Sequence, residues 1–137
     1  MKYFSMVGEL TYGSDNSAGV DLTARTFDGE KFMFGTGVRV EIPEGCFGLV
    51  VPRSSTGAKQ GFKLRNTVGI IDADYRGEIF LAVEPGALKQ DAKAYLGQRV
   101  AQLIIQPYYR ADLQRVSPEE FTITSRGSGG FGSTGSS

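Results

Sequence analysis

The first third of the chain alternates between apolar and polar residues in short runs. The alternation is clear over residues 32–34 and 38–42, and a weaker one covers residues 1–13. A period of two residues is typical of β-strands with one buried face. We therefore predict ordinary strands in the two clear runs and an opening edge strand near the N-terminus. The segment AGVDLTA at 18–24 predicts a further short strand.

Two longer segments are apolar almost without interruption. Residues 47–51 (FGLVV) fit a strand that is buried on both faces, and residues 99–106 (RVAQLIIQ) predict another buried strand. The second segment contains Gln102, a neutral donor and acceptor among hydrophobic residues. Its side chain either pairs with nearby backbone groups or binds a ligand.

The segment 65–82 (RNTVGIIDADYRGEIFLA) combines apolar runs with an unusual polar insert. Residues 68–71 and 79–83 are strand-like, and the polar residues 72–77 between them end in Gly. This pattern is typical of a β-hairpin. The insert carries two carboxylates, a phenol and a guanidinium, where a plain turn needs only a pair such as Asn-Gly. We interpret the insert as a functional site on a rigid frame.

A second polar segment, PRSSTG at 52–57, follows the apolar run at 47–51. Pro52 cannot continue a central strand, and a Ser or Thr after it can cap a helix, so one short helix is predicted over residues 54–61. An Arg, hydroxyls and free amide N–H groups at a helix start are suited to bind phosphate. The alternative is an ordinary helix cap beside a surface Arg.

Asp21 is the one acidic residue in the predicted strand at 18–24. It lies between Val20 and Leu22 and by alternation faces opposite to both. It is either a solvent-facing acid on an amphipathic strand or an anion that meets a bound cation.

The C-terminal segment 125–137 is rich in Gly and Ser. Its 13 residues include five Gly and five Ser, which is too little apolar surface to fold alone and predicts mobility in the free protein. A flexible, inert terminus is one interpretation. The other is a lid over a bound nucleotide, with Arg126 on phosphate and Phe131 on a base.

Composition narrows the chemistry that the protein can perform. The 137 residues include 15 Lys plus Arg and 15 Asp plus Glu, so no overall charge attracts nucleic acid or an anionic membrane. The absence of His excludes Ser-His-Asp and Cys-His nucleophiles and, with Cys46 as the only cysteine, the usual zinc sites. Proton transfer is left to carboxylates, Lys or Tyr, and metal binding to a hard cation such as Mg²⁺. The length and the single cysteine predict one compact, soluble, intracellular domain.

Together these features describe a nucleoside triphosphate pocket with a lid, and five ordered motifs resemble those of the homotrimeric dUTPases. The motifs are AGVDLTA at 18–24, PRSSTG at 52–57, GIIDADYRGEI at 69–79, RVAQLII at 99–105 and RGSGGFGSTG at 126–135. They span nearly the whole chain. The resemblance implies an all-β, jelly-roll-like β-barrel subunit with one short helix, which assembles as a homotrimer.

The resemblance also implies roles for the central segment. Asp72 is in the place of the family's catalytic carboxylate, which activates the water that attacks the α-phosphorus. Tyr75 is in the place of the aromatic residue that packs under the deoxyribose and excludes a 2′-OH. The positions implied to read uracil are Asn66, Gly69, Ile70, Ile71 and Phe80.

Other positions match the family's phosphate, metal and lid residues. The implied phosphate contacts come from Arg53, Ser54, Ser55, Gly57 and Gln102. Asp21 matches the acidic residue that orients a water molecule on Mg²⁺. Mg²⁺ is the implied cofactor, and the triphosphate coordinates it. The positions that match the closing tail are Arg126, Phe131, Gly132, Ser133 and Thr134.

The sequence therefore predicts a dUTPase-like β-barrel domain over residues 1–124 and a Gly/Ser-rich tail over 125–137 that closes over the active site. The predicted reaction is hydrolysis of dUTP to dUMP and pyrophosphate with Mg²⁺, in a homotrimer whose subunits share the active sites. Two alternatives are a dCTP deaminase-like enzyme of the same fold and a dUTP-dependent regulatory binding protein. We expect no nucleic-acid or membrane partner and a cytoplasmic location.

Overall fold

The computed structural model describes residues 1–132, which form short strands and little helix. The nine strands are β1 (Tyr3–Ser5), β2 (Val20–Thr23), β3 (Thr26–Asp28), β4 (Met33–Gly35), β5 (Val38–Val40), β6 (Cys46–Pro52), β7 (Gly69–Ile71), β8 (Phe80–Ala82) and β9 (Arg99–Pro107). The helical turns are a π-type turn at Ser55–Lys59 and 3₁₀ turns at Pro85–Ala87, Ala92–Tyr95 and Pro118–Glu120. Within this part of the chain, no helix has the length and apolar character needed to cross a membrane.

The all-β prediction is confirmed, and most predicted strands lie where the alternation indicates. The predicted helix over residues 54–61 corresponds to the single turn at Ser55–Lys59. The apolar pattern misses β3 and the 3₁₀ turns at Ala92–Tyr95 and Pro118–Glu120. A 3₁₀ turn has only three or four residues, which is too short to establish a periodicity.

Backbone hydrogen bonds arrange the described strands in three antiparallel sheets. The largest has the order β2-β9-β6-β7, the second has β3-β4-β8, and β1 pairs with β5 in the third. The longest ladder joins β6 and β9, from Cys46 opposite Pro107 to Pro52 opposite Ala101. The segments that carry the predicted site residues attach to this pair of strands.

One buried apolar cluster draws side chains from all three sheets. Phe34 of β4 is fully buried, and its ring centroid lies 4.9 Å from that of Phe27, 5.9 Å from that of Phe62 and 6.0 Å from that of Tyr95. Tyr95 is buried, although it belongs to the Lys- and Asp-rich segment 88–97, whose other residues stay at least partly exposed. One 3₁₀ turn in that polar segment is sufficient to direct the Tyr95 ring into the core.

The predicted hairpin over residues 68–83 is wrong. β7 pairs with β6 of the largest sheet, whereas β8 pairs with β4 of a different sheet. The polar residues 72–77 therefore cross from one sheet to another. The local pattern cannot distinguish a hairpin turn from such a crossover, because the true partner strands lie far away in the sequence.

The prediction that residues 47–51 are buried on both faces is wrong for the single chain. Gly48 and Val50 point into the core and are buried. The side chains on the other face of the same sheet stay partly exposed: Phe47, Leu49, Val51, Ile70 and Ile104. The largest sheet thus packs one face on the core and leaves a second apolar face open in one chain.

Phe34→Ala is expected to lower the free energy of unfolding by about 3–5 kcal/mol, because it removes a fully buried ring and leaves a cavity. Phe34→Leu keeps most of the volume and should lose less than half as much. Urea unfolding, followed by circular dichroism at one fixed protein concentration, measures both losses. Equal losses for the two variants would contradict this packing.

Candidate active site

A cleft of about 290 Å³ lies where the chain passes from β7 to β8. Its lining residues are Met33, Ile70, Ile71, Asp72, Tyr75, Glu78, Ile79 and Phe80. The structure therefore brings five predicted site residues together: Ile70, Ile71, Asp72, Tyr75 and Phe80. Mostly apolar walls with a few polar groups suit a planar base joined to a sugar.

Tyr75 has a fixed position beside this cleft. Its Oη donates a hydrogen bond to the Glu78 carbonyl oxygen at 2.7 Å. A Cβ at position 77 would lie 2.5 Å from the same Oη, so Gly77 is needed to make room for the phenol. The side chain nevertheless remains 41% exposed and can contact a ligand in the cleft.

Asp72 lies at the boundary between two clefts. It lines the 290 Å³ cleft and also a wider cleft of about 850 Å³ that extends to Tyr108 and Tyr109. Its carbonyl oxygen accepts a hydrogen bond from the Tyr75 N–H at 3.1 Å, which closes a turn. Because the residue is exposed, its carboxylate can reach both water and a substrate.

A strained turn leads into β7. The Val68 N–H donates to the Asn66 carbonyl oxygen at 2.7 Å, and Thr67 between them has a φ of +66°. This geometry corresponds to a γ-turn with positive φ, and such strain costs a β-branched residue about 1–3 kcal/mol. The turn places the predicted base-reading residues Asn66 and Gly69 side by side, since a Cβ at position 69 would lie 3.9 Å from Asn66 Nδ2.

The predicted phosphate-binding residues gather elsewhere on the largest sheet. Gln102 of β9 lies between Asp21 of β2 and Val51 of β6 in the ladder. Gly19 leaves room for this glutamine, because a Cβ at position 19 would lie 2.6 Å from Gln102 Oε1. Arg53 follows β6 directly and contacts Asp21, with 3.1 Å between Nε and Oδ1.

Asp21 joins two guanidinium groups. Its Oδ2 lies 3.3 Å from Arg99 Nη1, and Arg53 Nη1 donates to the Arg99 carbonyl oxygen at 3.2 Å. Two cations and one carboxylate leave this cluster with a net positive charge, which suits a phosphate group. Arg99 is not among the predicted phosphate-binding residues, although it begins the motif RVAQLII.

The loop after β6 is not a capped helix. Ser54 has α-helical backbone angles and its side chain makes no cap hydrogen bond, so the predicted cap is wrong. The buried Thr56 anchors the turn instead, because its hydroxyl lies 3.1 Å from the Arg53 carbonyl oxygen and 2.8 Å from a carbonyl oxygen of β9. The Gly57 N–H also donates to the Arg53 carbonyl oxygen, at 2.7 Å. Ser54, Ser55 and Gly57 thus lie in one anchored turn beside Arg53.

The two groups of predicted residues are far apart within one chain. Ile71, which precedes Asp72, pairs with Gly48, whereas Arg53 lies five residues beyond Gly48 in the direction of β6. At about 3.3 Å per strand residue, this corresponds to a separation of roughly 17 Å. Arg53 is also held towards β2 by Asp21, whereas β7 lies on the other side of β6. The geometry of one chain does not bring Asp72 and Arg53 to the same triphosphate.

The described part of the tail lies away from both clefts. Arg126 donates from Nε to the Gly129 carbonyl oxygen at 2.6 Å, and Phe131 is fully exposed. Gly132 has a φ of +88°. No residue of 125–132 lines either cleft. The predicted lid residues Ser133 and Thr134 lie outside the described residues.

The carboxylates offer little for direct metal binding. Among residues 1–132, no three or more His, Cys, Asp or Glu side chains form a group that could hold a metal ion. Asp21, the predicted metal-side residue, is paired with two guanidinium groups. This donor set fits contact through water with an ion that a substrate brings.

Three residues of the cleft lining carry no signal that was used to predict the site: Met33, Glu78 and Ile79. Met33 comes from β4 and reaches the cleft because it pairs with Ala82 of β8, a long-range contact with no local signal. Glu78 accepts a hydrogen bond at Oε2 from the Gly37 N–H at 3.2 Å. Its place three residues after Tyr75, inside a quoted motif, is the signal that could have identified it.

Comparisons with known proteins show the family to which the chain belongs. A family model described as dUTPase matches residues 7–135. The deoxyuridine 5'-triphosphate nucleotidohydrolase of Escherichia phage T5 is 41% identical over 136 residues, which cover 90% of this chain and 89% of that protein. The protein of the same name from Dictyoglomus turgidum is 40% identical over 136 residues, with 90% and 88% covered. The chain belongs to the dUTPase family.

This dUTPase also resembles solved structures over most of its length. The dUTPase of Staphylococcus bacteriophage 80alpha with dUPNHPP has a TM-score of 0.76 and 26% identity, and the match covers 98% of both chains. A mutant dUTPase from phage phi11 of S. aureus, described as coordinating a structural Mg(II) ion, has a TM-score of 0.68 and 23% identity over 88% of this chain and 98% of that chain. The predicted family, mainly β fold and enzyme class are confirmed. The roles of individual site residues stay predictions.

Thr67→Asn is expected to raise the free energy of unfolding by about 1 kcal/mol, because Asn adopts a positive φ at lower cost than a β-branched residue. Thr67→Val keeps the branched Cβ and is the matched control, for which we expect no gain. Urea unfolding of the two variants and the unmodified protein measures the difference. If the Asn variant gains nothing over the Val variant, the turn is not strained.

Proposed function

We propose that this dUTPase hydrolyses dUTP to dUMP and pyrophosphate, with Asp72 as the catalytic carboxylate and Tyr75 as the residue that recognises the sugar. The observation that carries these roles is the position of both side chains on one turn, beside a cleft of about 290 Å³. Family membership supports the reaction, and the turn supports the assignment of its residues.

The base and the sugar bind in this cleft. Backbone groups of β7 (Gly69–Ile71), together with Asn66, read uracil, and Phe80 of β8 packs beside it. Backbone hydrogen bonds discriminate between bases because a wrong exocyclic group leaves buried polar atoms unpaired. The deoxyribose lies on the Tyr75 ring, which leaves no room for a 2′-OH. The hydrogen bond from Tyr75 to the Glu78 carbonyl supports this role, because a fixed ring excludes a hydroxyl better than a rotating one.

Asp72 accepts a proton from water as the water oxygen attacks the α-phosphorus. A new P–O bond forms there, the bond to the oxygen that bridges to the β-phosphate breaks, and pyrophosphate leaves. A carboxylate suits this role because the chain contains no His. Placement of the water in line with the leaving group, together with charge stabilisation, supplies most of the rate enhancement.

The cationic cluster on the largest sheet binds the phosphates. Arg53 and Gln102 contact phosphate oxygens, and the hydroxyl and amide groups of the turn at 54–57 complete the binding loop. Mg²⁺, when bound to the triphosphate, neutralises part of its charge. Asp21 would contact that ion through a water molecule, which suits Mg²⁺ because it retains several of its waters.

A homotrimer with shared active sites accounts for the separation of the two residue groups. Ile71, the residue before Asp72, is offset from Arg53 of the same chain by roughly 17 Å along β6, so another copy brings its Arg53 to the cleft. The open apolar face of the largest sheet supports such association. The segment after β9 supports it as well, because Tyr109 is 89% exposed and Ile123 is 98% exposed, apolar surface that another copy can cover. The family resemblance supports three copies in the assembly.

The tail of a third copy completes the site in this proposal. We place the domain boundary after residue 124 and assign residues 125–137 to a segment that closes over the bound nucleotide. Arg126 then contacts phosphate and Phe131 stacks on uracil, while Gly132, Ser133 and Thr134 approach the phosphates. The full exposure of Phe131 supports this role, because an exposed ring is available to stack on a base.

Pyrophosphate release with Mg²⁺ is expected from dUTP and not from dCTP, dTTP or UTP at equal concentration. Asp72→Asn should still bind the non-hydrolysable α,β-imido analogue of dUTP and lose turnover by about a hundredfold or more, because an amide cannot accept the proton. Asp74→Asn is the matched control two residues further along the same exposed loop, and it should keep its turnover.

Three other outcomes of this assay would contradict parts of the proposal. Unchanged turnover of the Asp72→Asn protein would remove Asp72 from its role. Ammonia release from dCTP would support the deaminase alternative. Binding of dUTP without release of pyrophosphate by the unmodified protein would support the regulatory alternative.

Mixed assemblies test the shared site. Asp72→Asn and Arg53→Met proteins are each expected to be inactive, because every site of each homotrimer lacks one residue. When the two are refolded together in equal amounts, about a quarter of the sites should combine an intact Asp72 with an intact Arg53 from another copy. The matched control mixes Asp72→Asn with Tyr75→Ala. Since those two residues come from one turn, no site in the control should recover.

Recovery of pyrophosphate release, measured against the unmodified protein at the same chain concentration, reads out the result. No recovery in the first mixture would place Asp72 and Arg53 of a site on one chain. Equal recovery in both mixtures would mean that Asp72 and Tyr75 come from different chains.

A further inference from the structure

Arg76 belongs to the crossover that carries the site but turns away from the nucleotide cleft. Asp72 and Tyr75 line the 290 Å³ cleft. Arg76 lines a separate cleft of about 240 Å³, together with Arg39 and Glu41. Its guanidinium is therefore not placed to touch a nucleotide in the first cleft. Any effect that it has on the reaction acts through the groups that it contacts.

The Arg76 side chain binds the backbone of the turn that carries both proposed site residues. Its Nη1 donates to the Ala73 carbonyl oxygen at 2.6 Å and, at a longer 3.3 Å, to the Tyr75 carbonyl oxygen. The Tyr75 N–H in turn donates to the Asp72 carbonyl oxygen at 3.1 Å. Hydrogen bonds from a charged donor are stronger than neutral ones. The guanidinium therefore limits how far the Asp72 and Tyr75 backbones move relative to each other.

Arg76 also connects the crossover to the third sheet. Arg39 of β5 donates from Nε to the Arg76 carbonyl oxygen at 2.6 Å. Glu41 lies 4.0 Å from Arg76 Nε, and both side chains are about half exposed, so this ion pair contributes little. The hydrogen bonds to carbonyl oxygens are the stronger contacts. They restrain residues 72–77, which lie between strands of the other two sheets.

We infer that Arg76 is a positioning residue that sets the spacing between Asp72 and Tyr75 and thereby the exclusion of a 2′-OH. The inference rests on the proposed function, because that function places the sugar on Tyr75. Displacement of a positioned group by about 1 Å can cost on the order of a hundredfold in rate. Exclusion of the 2′-OH depends on the position of the Tyr75 ring just as closely, because a small displacement of the ring away from the sugar makes room for the extra oxygen.

The test compares the binding of the α,β-imido analogues of dUTP and UTP by isothermal titration calorimetry with Mg²⁺. Arg76→Met keeps an unbranched side chain and removes the donors. We expect its preference for the dUTP analogue, given by the ratio of the two dissociation constants, to fall about tenfold. Its kcat for dUTP should fall as well. Arg76→Lys restores one charged donor and should recover part of both losses.

Arg65→Met is the matched control. Arg65 also donates to two backbone carbonyl oxygens, those of Lys31 at 2.6 Å and Phe32 at 3.5 Å, but outside the crossover. Its loss should lower stability without changing the ratio of the two dissociation constants. An unchanged ratio for Arg76→Met, or an equal fall for Arg65→Met, would overturn the inference. Failure of the unmodified protein to bind the dUTP analogue would overturn the proposed function on which the inference rests.

Discussion

The register of β9 between β2 and β6 is the constraint on which the rest of the structure depends. Ala101 and Leu103 point into the core, while Gln102 between them points to the other face, where it meets Asp21. Side chains alternate along a strand, so a slip of one residue would bury Gln102 and expose Leu103. The same strand pairing therefore buries the core and forms the cluster that we propose binds phosphate.

The crossover between β7 and β8, in contrast, is not held by strand pairing. Residues 72–77 lie outside the strands, and side-chain bonds to carbonyl oxygens hold them. The strained Thr67 turn precedes β7, and Gly77 makes room for the Tyr75 ring. The strand ladder fixes the side chains of the cationic cluster, and the side-chain hydrogen bonds fix those of the crossover. In both places exposed polar side chains have defined positions without being buried.

Most of the strands and several residues of the candidate site could be predicted from the sequence, because the signals for them are local. The family resemblance of the motif at 69–79 predicts roles for Asp72 and Tyr75, which the structure places beside one cleft, and period-two alternation predicts most strands. The pairing of β7 and β8 could not be predicted, because their partners β6 and β4 lie elsewhere in the chain. Met33 enters the cleft through the same long-range pairing. The burial of Tyr95 could not be predicted for a different reason: one 3₁₀ turn in a polar segment has no recognisable period.

The continuous apolar run at 47–51 predicts burial on both faces, and one chain supplies only one of them. In the same chain, Ile71, the residue before Asp72, is offset from Arg53 by roughly 17 Å along β6. Both facts have one explanation in the proposed trimer, where a neighbouring copy covers the open face and brings its Arg53 to the cleft. Folding, association and catalysis would then be linked, because the stability of such an assembly depends on chain concentration and no site is complete in a separated subunit. The apolar run at 47–51, which predicts a fully buried strand, therefore fits the proposed trimer better than it fits a single chain.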